Sequence, residues 1–403
     1  MSRTTNPASR MLLTLMAFLL AIGLACTQQE AVKFGAVVPL TGSSAIYGKQ
    51  IANGIELAFE ELKALPDAPE MELEVLDSES DPEKAKTALE QLYASDARAA
   101  IGGVTTAEAL AMVQVADNMN RVLLSPSASA QELTGISREF YRVWPSDSRE
   151  GSRMGQYAAQ NLNIKTVVVL AADSTYAEGI LTVFKTSFTQ NGGEIVEELI
   201  YPENTSDLNA LVERVVALKP DSVYIADYAN TVIKLIQLLR EMSFQGKILT
   251  VSAFATPQAI AAAGSAAEGV FVTHPQYTPD DQEDPKVKAF VEAYRSKFGE
   301  TPGLYAAHGY DSMLVLYEAM KKGGDKGSSF WKGMRGVKDL PGVTGPLQFD
   351  EKGDVAKYPR VYFLLEGQAV DHANWVEKKR DEIRLQRQKL EEELRRLQQK
   401  SGG

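Results

Sequence analysis

Short apolar runs and amphipathic helical patterns alternate along this chain from about residue 33 to residue 321. The apolar runs predict strands at 33–39, 73–77, 99–102, 122–125, 166–171, 195–201, 222–226, 248–251 and 270–273. Helical patterns fill the intervals, at 50–62, 82–93, 107–118, 151–161, 179–191, 208–218, 232–242, 286–298 and 305–321. Regular alternation of this kind predicts an α/β fold with doubly wound parallel sheets that carry helices on both faces. The number of strands indicates two such sheets.

Changes of pattern divide the alternating region. An extended run ends at Trp144-Pro145-Ser146-Asp147, and further changes fall at 273–276 and 340–345. We therefore expect an N-terminal lobe made of residues 32–145 with 274–340, and a C-terminal lobe made of residues 146–273 with 345–368. Two lobes joined by several crossovers form a clamp, because the linking segments can absorb a hinge rotation while each sheet stays rigid. The cleft between the lobes is the expected binding site.

Small hydroxyl residues follow two neighbouring predicted strands between residues 99 and 129. Thr105 and Thr106 open the helix after the first strand, and Ser127, Ala128 and Ser129 follow the second. Ligands of open α/β sheets bind outside the carboxyl ends of the strands. A helix N-terminus adds free N–H groups and partial positive charge. The stretch therefore predicts a site for a carboxylate.

A purely structural role for Thr105 stays open. Thr105 and Glu108 form a Thr-x-x-Glu capping box, so the Thr105 hydroxyl can serve its own helix and no ligand.

Composition and charge exclude several classes of function. The 403-residue chain carries a net charge of −11, which argues against a nucleic-acid partner because phosphates need a basic surface. The run from Gly42 to Gln50 imitates a phosphate loop, but it has the wrong spacing and lacks the hydroxyl residue that holds magnesium. His274, His308 and His372 show no metal-ligand or catalytic spacing. We expect no enzyme activity, no metal and no cofactor.

The first 25 residues have the pattern of an export signal. Arg3 and Arg10 precede an apolar run that ends before Cys26, the only cysteine of the chain. Cys26 followed by polar residues resembles a bacterial lipoprotein processing site, which implies lipidation of Cys26 and a membrane anchor. The alternative is a plain signal peptide cut nearby. Both place the mature protein outside the cytoplasm, in the periplasm or at the cell surface.

The last predicted element is a charged helix at 376–400. Val376, Ile383, Leu390 and Leu397 recur every seven residues, and Leu394 adds a second position to the stripe. Arg380 and Arg387 interrupt it, which leaves a narrow coiled-coil seam. The pattern fits a solvated terminal helix, or one that contacts a partner or a second copy.

Seven stretches of the chain, taken together, resemble one family. They are Phe34–Gly42, Ile101–Thr106, Leu124–Ser129 with Glu132–Thr134, Pro220–Tyr224, Ala266–Val270, His308–Asp311, and Gly342–Gly345 with Phe349–Asp350. In order and spacing over residues 32–368 they resemble the leucine/isoleucine/valine-binding branch of the type I periplasmic binding proteins. The resemblance implies a two-lobed receptor that captures an amino acid or a related carboxylate for the permease of an ABC importer.

The resemblance also implies roles for particular residues. Thr105 or Thr106 matches the hydroxyl that holds the ligand carboxylate, and Ser127 and Ser129, which flank Ala128, complete that grip. Aromatic positions that line the family's pocket fall at Tyr47, Tyr176, Tyr228 and Tyr305.

One departure from the family concerns the ligand's ammonium group. The stretch Ser252–Thr256 contains no acid where the family often has one. Asp227 is the nearest candidate to replace it, although a turn or a helix cap explains Asp227 equally well. Otherwise the ligand is an organic acid or amide that carries no ammonium group. A sensor that reports ligand binding to another protein, with the terminal helix as its contact, is a further alternative to a transport receptor.

Overall fold

The computed structural model describes residues 31–203, 205–279, 284–323 and 326–401. The predicted export signal and Cys26 therefore lie outside the described residues. The strands are β1 Val32–Val38, β2 Met71–Asp77, β3 Ala99–Gly102, β4 Val122–Ser125, β5 Phe140–Arg142, β6 Thr166–Ala172, β7 Glu194–Tyr201, β8 Ser222–Ala226, β9 Lys247–Thr250, β10 Phe271–His274, β11 Leu340–Gly342, β12 Gly345–Leu347, β13 Arg360–Leu365 and β14 Gln368–Asp371.

The helices are α1 Ala45–Lys63, α2 Pro82–Ala94, α3 Thr106–Met119, α4 Asp147–Gln160, α5 Thr175–Gln190, α6 Asn209–Leu218, α7 Ala229–Glu241, α8 Pro257–Ala263, α9 Pro285–Phe298, α10 Leu304–Lys321, α11 Phe330–Gly336 and α12 His372–Ser401. Side chains fix several of their starts. Asp81, for example, accepts hydrogen bonds from the backbone N–H groups of Glu83 and Lys84, and Pro82 occupies the first position of α2.

The first sheet has the order β2-β1-β3-β4-β5, and its strands are all parallel. The short central strands β3 and β4 are fully buried, since helices cover both faces of the sheet. α2 packs beside α3, and α1 packs against α10, a helix that comes about 240 residues later in the chain.

The second sheet has the order β14-β13-β10-β9-β8-β6-β7. It is parallel from β7 to β10, and β13 and β14 then add an antiparallel edge. The prediction of an α/β fold with two parallel sheets is therefore confirmed. The antiparallel strands β13 and β14 were not predicted from the sequence.

The chain passes between the sheets three times. It leaves the first sheet after β5, returns after β10, and enters the second sheet again at β13. Before that last crossing, the segment around Asp354 lies against the first sheet, because the buried Arg142 of β5 holds the Asp354 carboxylate at 2.7 and 3.0 Å. The return to the second sheet at Arg360 thus differs from the boundary expected at residue 345.

The predicted terminal helix is confirmed as α12. At its base, the Trp375 ring packs on Phe363 with centroids 5.1 Å apart, and His372 Nδ1 lies 2.8 Å from the Tyr157 hydroxyl. Beyond this base the helix extends into solvent. Among the described residues, no helix has both the length and the apolar character that crossing a membrane requires.

Candidate functional site

A small cavity lies between the two sheets, where loops that follow strands of both sheets meet. Its wall is formed by Tyr47, Val104, Thr106, Ser127, Ala128, Ser129, Trp144, Tyr176, Tyr228, Ser252, Ala253 and Tyr305. About 20 Å³ is open to the centre of a water-sized sphere, which is room for one or two water molecules. The structure is therefore a closed arrangement in which wall side chains fill most of the cleft.

Eight of the ten residues predicted as ligand contacts belong to this wall. They are Tyr47, Thr106, Ser127, Ala128, Ser129, Tyr176, Tyr228 and Tyr305. Thr105 and Asp227 do not line the cavity.

Thr105 and Thr106 have different surroundings although they are neighbours. The Thr105 hydroxyl accepts the Glu108 backbone N–H at 3.2 Å, and the Thr105 backbone N–H donates to the Glu108 carboxylate at 3.0 Å, so Thr105 forms the capping box of α3. The Thr106 hydroxyl is buried on the cavity wall and has no hydrogen-bond partner among the described residues. An unpaired buried hydroxyl is costly, which marks Thr106 as a group that a ligand can satisfy.

Ser125 and Ser127 fix the turn that follows β4. The Ser125 hydroxyl donates to the carbonyl of Gly103 at 2.8 Å and accepts the Ala128 backbone N–H at 2.9 Å. The Ser127 hydroxyl donates to the carbonyl of Val104 at 2.7 Å. These bonds tie the turn to the loop before α3, so both hydroxyl-bearing segments keep a fixed position beside the cavity.

Aromatic rings form the remaining wall. Tyr47 packs on Tyr305 with centroids 4.7 Å apart, and Trp144 stacks on the same ring at 5.0 Å. Tyr176 stacks on Tyr228 at 4.8 Å. From the sequence, Trp144 is predicted only to mark the lobe boundary. Its position directly after a strand end was the available signal for a wall residue.

The Tyr47 hydroxyl connects the two sheet units. It accepts the backbone N–H of Ala229 at 2.8 Å and donates to the carbonyl of Ala253 at 3.1 Å. Tyr47 belongs to α1 on the first sheet, whereas Ala229 begins α7 and Ala253 follows β9, both on the second sheet. Burial raises the pKa of Tyr47 well above its ordinary value, so the hydroxyl stays protonated and keeps its donor.

Asp227 is placed outside the cavity wall. Its carboxylate accepts the Tyr201 hydroxyl at 2.9 Å and the backbone N–H of Tyr228 at 2.6 Å. Burial raises its pKa, and these two donors act in the opposite direction. Both carboxylate oxygens are engaged within the second sheet unit, so this position does not favour contact with a ligand ammonium.

Two other acids lie behind the wall, and sequence reasoning missed both. Asp147 and Glu150 occupy the first turn of α4 and are fully buried. Glu150 accepts hydrogen bonds from the backbone N–H and hydroxyl of Ser252, at 2.6 and 2.7 Å, and from the Thr273 hydroxyl at 3.0 Å. Burial raises the pKa of Glu150 to about 7, against the effect of these donors.

Asp147 is the less satisfied acid of the pair. Neither of its carboxylate oxygens has a hydrogen-bond partner of normal geometry among the described residues. Burial, followed by the neighbouring Glu150 charge, raises the pKa of Asp147 well above its usual range, while the Ser129 hydroxyl and the Arg142 charge act in the opposite direction. The Asp147 backbone N–H donates to the carbonyl of Ser129 at 2.8 Å, which places this acid directly behind a wall residue. The only sequence signal was two acids in a helix first turn, a pattern shared with ordinary solvated caps.

One protein-family model matches nearly all of the two-sheet part of the chain. A family model described as periplasmic binding protein matches residues 31–365. The chain belongs to the periplasmic binding protein family. The match ends before α12.

Solved structures of similar proteins agree with this assignment. A leucine-binding protein from Thermotoga maritima is 28% identical, with a TM-score of 0.79 over 84% of this chain and 97% of that one. A branched-chain amino acid transporter substrate-binding protein from Streptococcus pneumoniae, in complex with isoleucine, is 27% identical, with a TM-score of 0.80 over 84% and 98%. A Rhodopseudomonas palustris solute-binding protein in complex with 3,4-dihydroxybenzoic acid is 26% identical, with a TM-score of 0.77 over 85% and 95%.

This periplasmic binding protein is a solute-binding protein and not an enzyme. Its family places it outside the cytoplasm and gives it a small-molecule ligand that is delivered to the permease of an ABC transporter. In the described part of the chain, no group of three or more His, Cys, Asp or Glu side chains is arranged to hold a metal ion. His308 packs on Trp144 and binds the carbonyl of Leu304 through Nδ1 at 2.9 Å, so it supports the wall from behind.

Proposed function

We propose that this protein binds an α-amino acid in the cavity between the two sheets and presents the closed complex to an ABC importer. The observation that carries the proposal is the placement of an unpaired hydroxyl and a buried acid around one cavity. The Thr106 hydroxyl on the wall has no hydrogen-bond partner among the described residues, and Asp147 lies behind the wall with the Ser129 hydroxyl beside it. An amino acid offers the complement of both, a carboxylate and an ammonium group.

The carboxylate fits at the N-terminus of α3. The unpaired hydroxyl of Thr106 and the partial positive charge of the helix end favour an anion there. Ser127 and Ser129 follow β4 on the same side of the cavity, and a ligand carboxylate there takes the Ser127 hydroxyl in place of the carbonyl of Val104.

The ammonium group fits on the side of Asp147 and Glu150. Arg142 is the nearby cation, but its guanidinium already holds Asp354 at 2.7 and 3.0 Å and the carbonyl of Ala130 at 2.8 Å. Arg142 therefore does not neutralise the acid pair, and burial favours the protonated form of both acids instead. A positive ligand group placed there shifts the pair toward the charged form, and the carboxylates then stabilise that group.

The ligand side chain fits against the aromatic wall. Rings of Tyr47, Trp144, Tyr176, Tyr228 and Tyr305 offer large apolar surfaces for an aliphatic or aromatic side chain. Proteins similar to this one were crystallised with isoleucine and described as leucine-binding, which supports a branched-chain or aromatic amino acid as the ligand.

Entry of a ligand requires the two sheet units to move apart. The free space of about 20 Å³ is far smaller than an amino acid, and the Tyr47 hydroxyl bonds hold the closed arrangement. We propose that residues of the first sheet and residues of the second act as two lobes that open at the three crossovers and close on the ligand.

An aromatic carboxylic acid is the second candidate ligand. Five aromatic rings in so small a cavity favour a flat ligand, and a similar solute-binding protein holds 3,4-dihydroxybenzoic acid. Such a ligand uses the Thr106 side of the cavity and leaves Asp147 without a cationic partner.

A ligand screen tests the proposal. A bound ligand raises the unfolding temperature, since saturation at 100 times Kd stabilises the folded state by about 2.7 kcal/mol. We expect branched-chain or aromatic amino acids to stabilise the protein, and their amines and plain carboxylates to do so weakly. Stabilisation by benzoates alone selects the second candidate. No stabilisation by either class contradicts the proposed function.

We also propose that the exported protein is anchored to the membrane through a lipid on Cys26. The support is sequence alone: a single cysteine directly after an apolar export signal. Metabolic labelling with a fatty acid is expected to mark the wild-type protein and not the Cys26→Ser variant. Equal labelling of the two, or a mature protein without Cys26, contradicts the anchor.

A further inference from the structure

The terminal helix α12 lies outside the part of the chain that the family model matches. The family model ends at residue 365, whereas α12 runs from His372 to Ser401. Among the residues that the structure describes, none from this helix lines the cavity wall. A role for α12 must therefore be sought in its own surface.

Large apolar side chains on α12 are exposed. The exposed fractions are 64% for Ile383, 62% for Leu390, 50% for Leu394 and 59% for Leu397. At 100° per residue these four side chains fall within a sector of roughly 60°, along roughly 21 Å of helix. An exposed apolar stripe of this kind is typical of a helix that packs against another helix.

Charged residues beside the apolar stripe decide whether two copies of this helix can pair in parallel or antiparallel orientation. Arg380 and Arg387 occupy seam positions between the apolar residues. In a parallel pair of identical helices, Arg380 meets Arg380 and Arg387 meets Arg387, which places like charges together in the seam. Parallel self-pairing is therefore disfavoured.

In an antiparallel pair the arginines of the two helices do not face each other. One register places Ile383 opposite Leu394 of the second copy. The same register places Leu390 opposite Arg387, and Leu397 opposite Arg380. Each arginine then meets a leucine, over which its aliphatic stem can pack while the guanidinium reaches solvent.

The same antiparallel register aligns opposite charges at the edge of the seam. Arg384 of one helix falls beside Glu391 of the other, and the two-fold symmetry produces this pair twice. Both side chains are exposed. Their present ion pairs are within their own helix, from Arg384 to Asp381 at 3.1 Å and from Arg387 to Glu391 at 3.1 Å, and such exposed pairs are weak.

We propose that α12 pairs with α12 of a second copy as an antiparallel two-helix coiled coil, which makes this receptor a dimer. The globular part lies only at the His372 end of the helix. The antiparallel arrangement therefore carries the two receptor bodies at opposite ends of the paired segment. Each ligand cavity remains independent of the pairing.

The test uses the mature chain with Cys26→Ser, studied by sedimentation velocity over a range of protein concentrations. We expect a concentration-dependent dimer. Leu390→Glu and Leu394→Glu are each expected to weaken dimerisation by tenfold or more. The matched control is Leu385→Glu, because Leu385 is also exposed, at 53%, but lies on the opposite face of the helix. This control is expected to leave the dimer unchanged.

A charge exchange tests the orientation. Arg384→Glu alone places two glutamates side by side and weakens the dimer, and the double variant with Glu391→Arg restores it. In a parallel pair these two positions do not face each other, so the double variant is not restored. A monomer at every concentration, equal loss in Leu385→Glu, or failure of the double variant overturns the proposal.

Ligand titrations separate this proposal from the proposed function. Deletion of residues 377–403 is expected to abolish the dimer and leave the ligand Kd unchanged. If the dimer survives the deletion, α12 is not the interface.

Discussion

Replacement of Asp147 by asparagine gives a sharp test of how the ligand is recognised. The substitution keeps the shape of the side chain and removes its ability to carry a negative charge. Asp147 is fully buried, and its oxygens have no partner of normal geometry among the described residues. In the complex we expect the carboxylate to face the ligand ammonium, so the variant leaves that ammonium poorly compensated.

The expected size of the effect follows from the burial. Removing one partner of a buried, fully desolvated charge pair costs about 2–5 kcal/mol, and a value of about 3 kcal/mol weakens Kd roughly 150-fold. A benzoate carries no ammonium, so its affinity is expected to rise or stay constant.

Stability is expected to move in the opposite direction from affinity. Folding raises the pKa of the Asp147 carboxyl group, which means that the folded protein binds the proton more tightly than the unfolded chain does. At a pH above the pKa of the unfolded chain, such a group therefore lowers the free energy of unfolding. The free energy of unfolding of Asp147→Asn is therefore expected to rise at neutral pH, by about 1 kcal/mol. Lower affinity together with higher stability cannot be explained by partial unfolding of the variant.

Isothermal titration calorimetry and urea unfolding measure the two quantities. Asp227→Asn is the matched control, since Asp227 is a buried acid whose oxygens are bonded within the second sheet unit. We expect this control to keep its amino acid affinity within about threefold, since its charge is not paired with the ligand. The reasoning is refuted if Asp147→Asn binds the amino acid like the wild type, or if benzoates lose the same affinity.

Three further outcomes are expected. The affinity for the amino acid should increase as pH rises through about 7, because a bound ammonium group favours the charged forms of Asp147 and Glu150. The increase is at most tenfold per pH unit for each proton that binding releases. A decrease in affinity over the same pH range selects the aromatic acid as the ligand. In titrations, Thr106→Val should weaken the binding of carboxylate ligands by about 1.5–3 kcal/mol. Thr105→Val should instead lower the free energy of unfolding by about 1 kcal/mol and leave Kd unchanged. Equal effects of the two substitutions would contradict the separate roles of the two threonines. Tyr47→Phe removes the hydroxyl that bonds both sheet units, so it should destabilise the closed state by about 1–3 kcal/mol. Small-angle scattering should then give a larger radius of gyration. An unchanged radius would contradict the bridging role of Tyr47.

The parallel part of the fold was predictable because burial on both faces leaves a clear pattern. β3 and β4 are observed at the residues predicted for them, 99–102 and 122–125. Each is a continuous apolar run bounded by glycine, serine or polar residues, which identifies a buried strand without knowledge of its neighbours.

The antiparallel edge of the second sheet was not predictable in the same way. β13 pairs with β10, and their partners Val361 and Thr273 are far apart in the chain. Alternation within Arg360–Leu365 is weak, so only the tertiary contact identifies this segment as a strand. Similarly, the segment around Asp354 stays with the first sheet because of one buried contact with Arg142.

The candidate site was predictable where position along a strand decides it. Hydroxyl residues and tyrosines at strand ends and helix starts do line the cavity. What the sequence left open was the direction of each side chain. Thr105 and Thr106 are chemically alike and adjacent, yet one caps its helix and the other is unpaired. Asp147 looks like an ordinary acid in a first helical turn until the packing above it is known.

The three crossings of the chain bear on when the protein can fold. The first sheet is strand-complete by β5, but α10, which covers it beside α1, is made about 160 residues later. The partner strand of β10, β13, is synthesised about 85 residues after β10. Neither half of the molecule can therefore finish folding while its C-terminal part is still being synthesised. A chain built this way keeps both of its sheets incomplete until synthesis is nearly over.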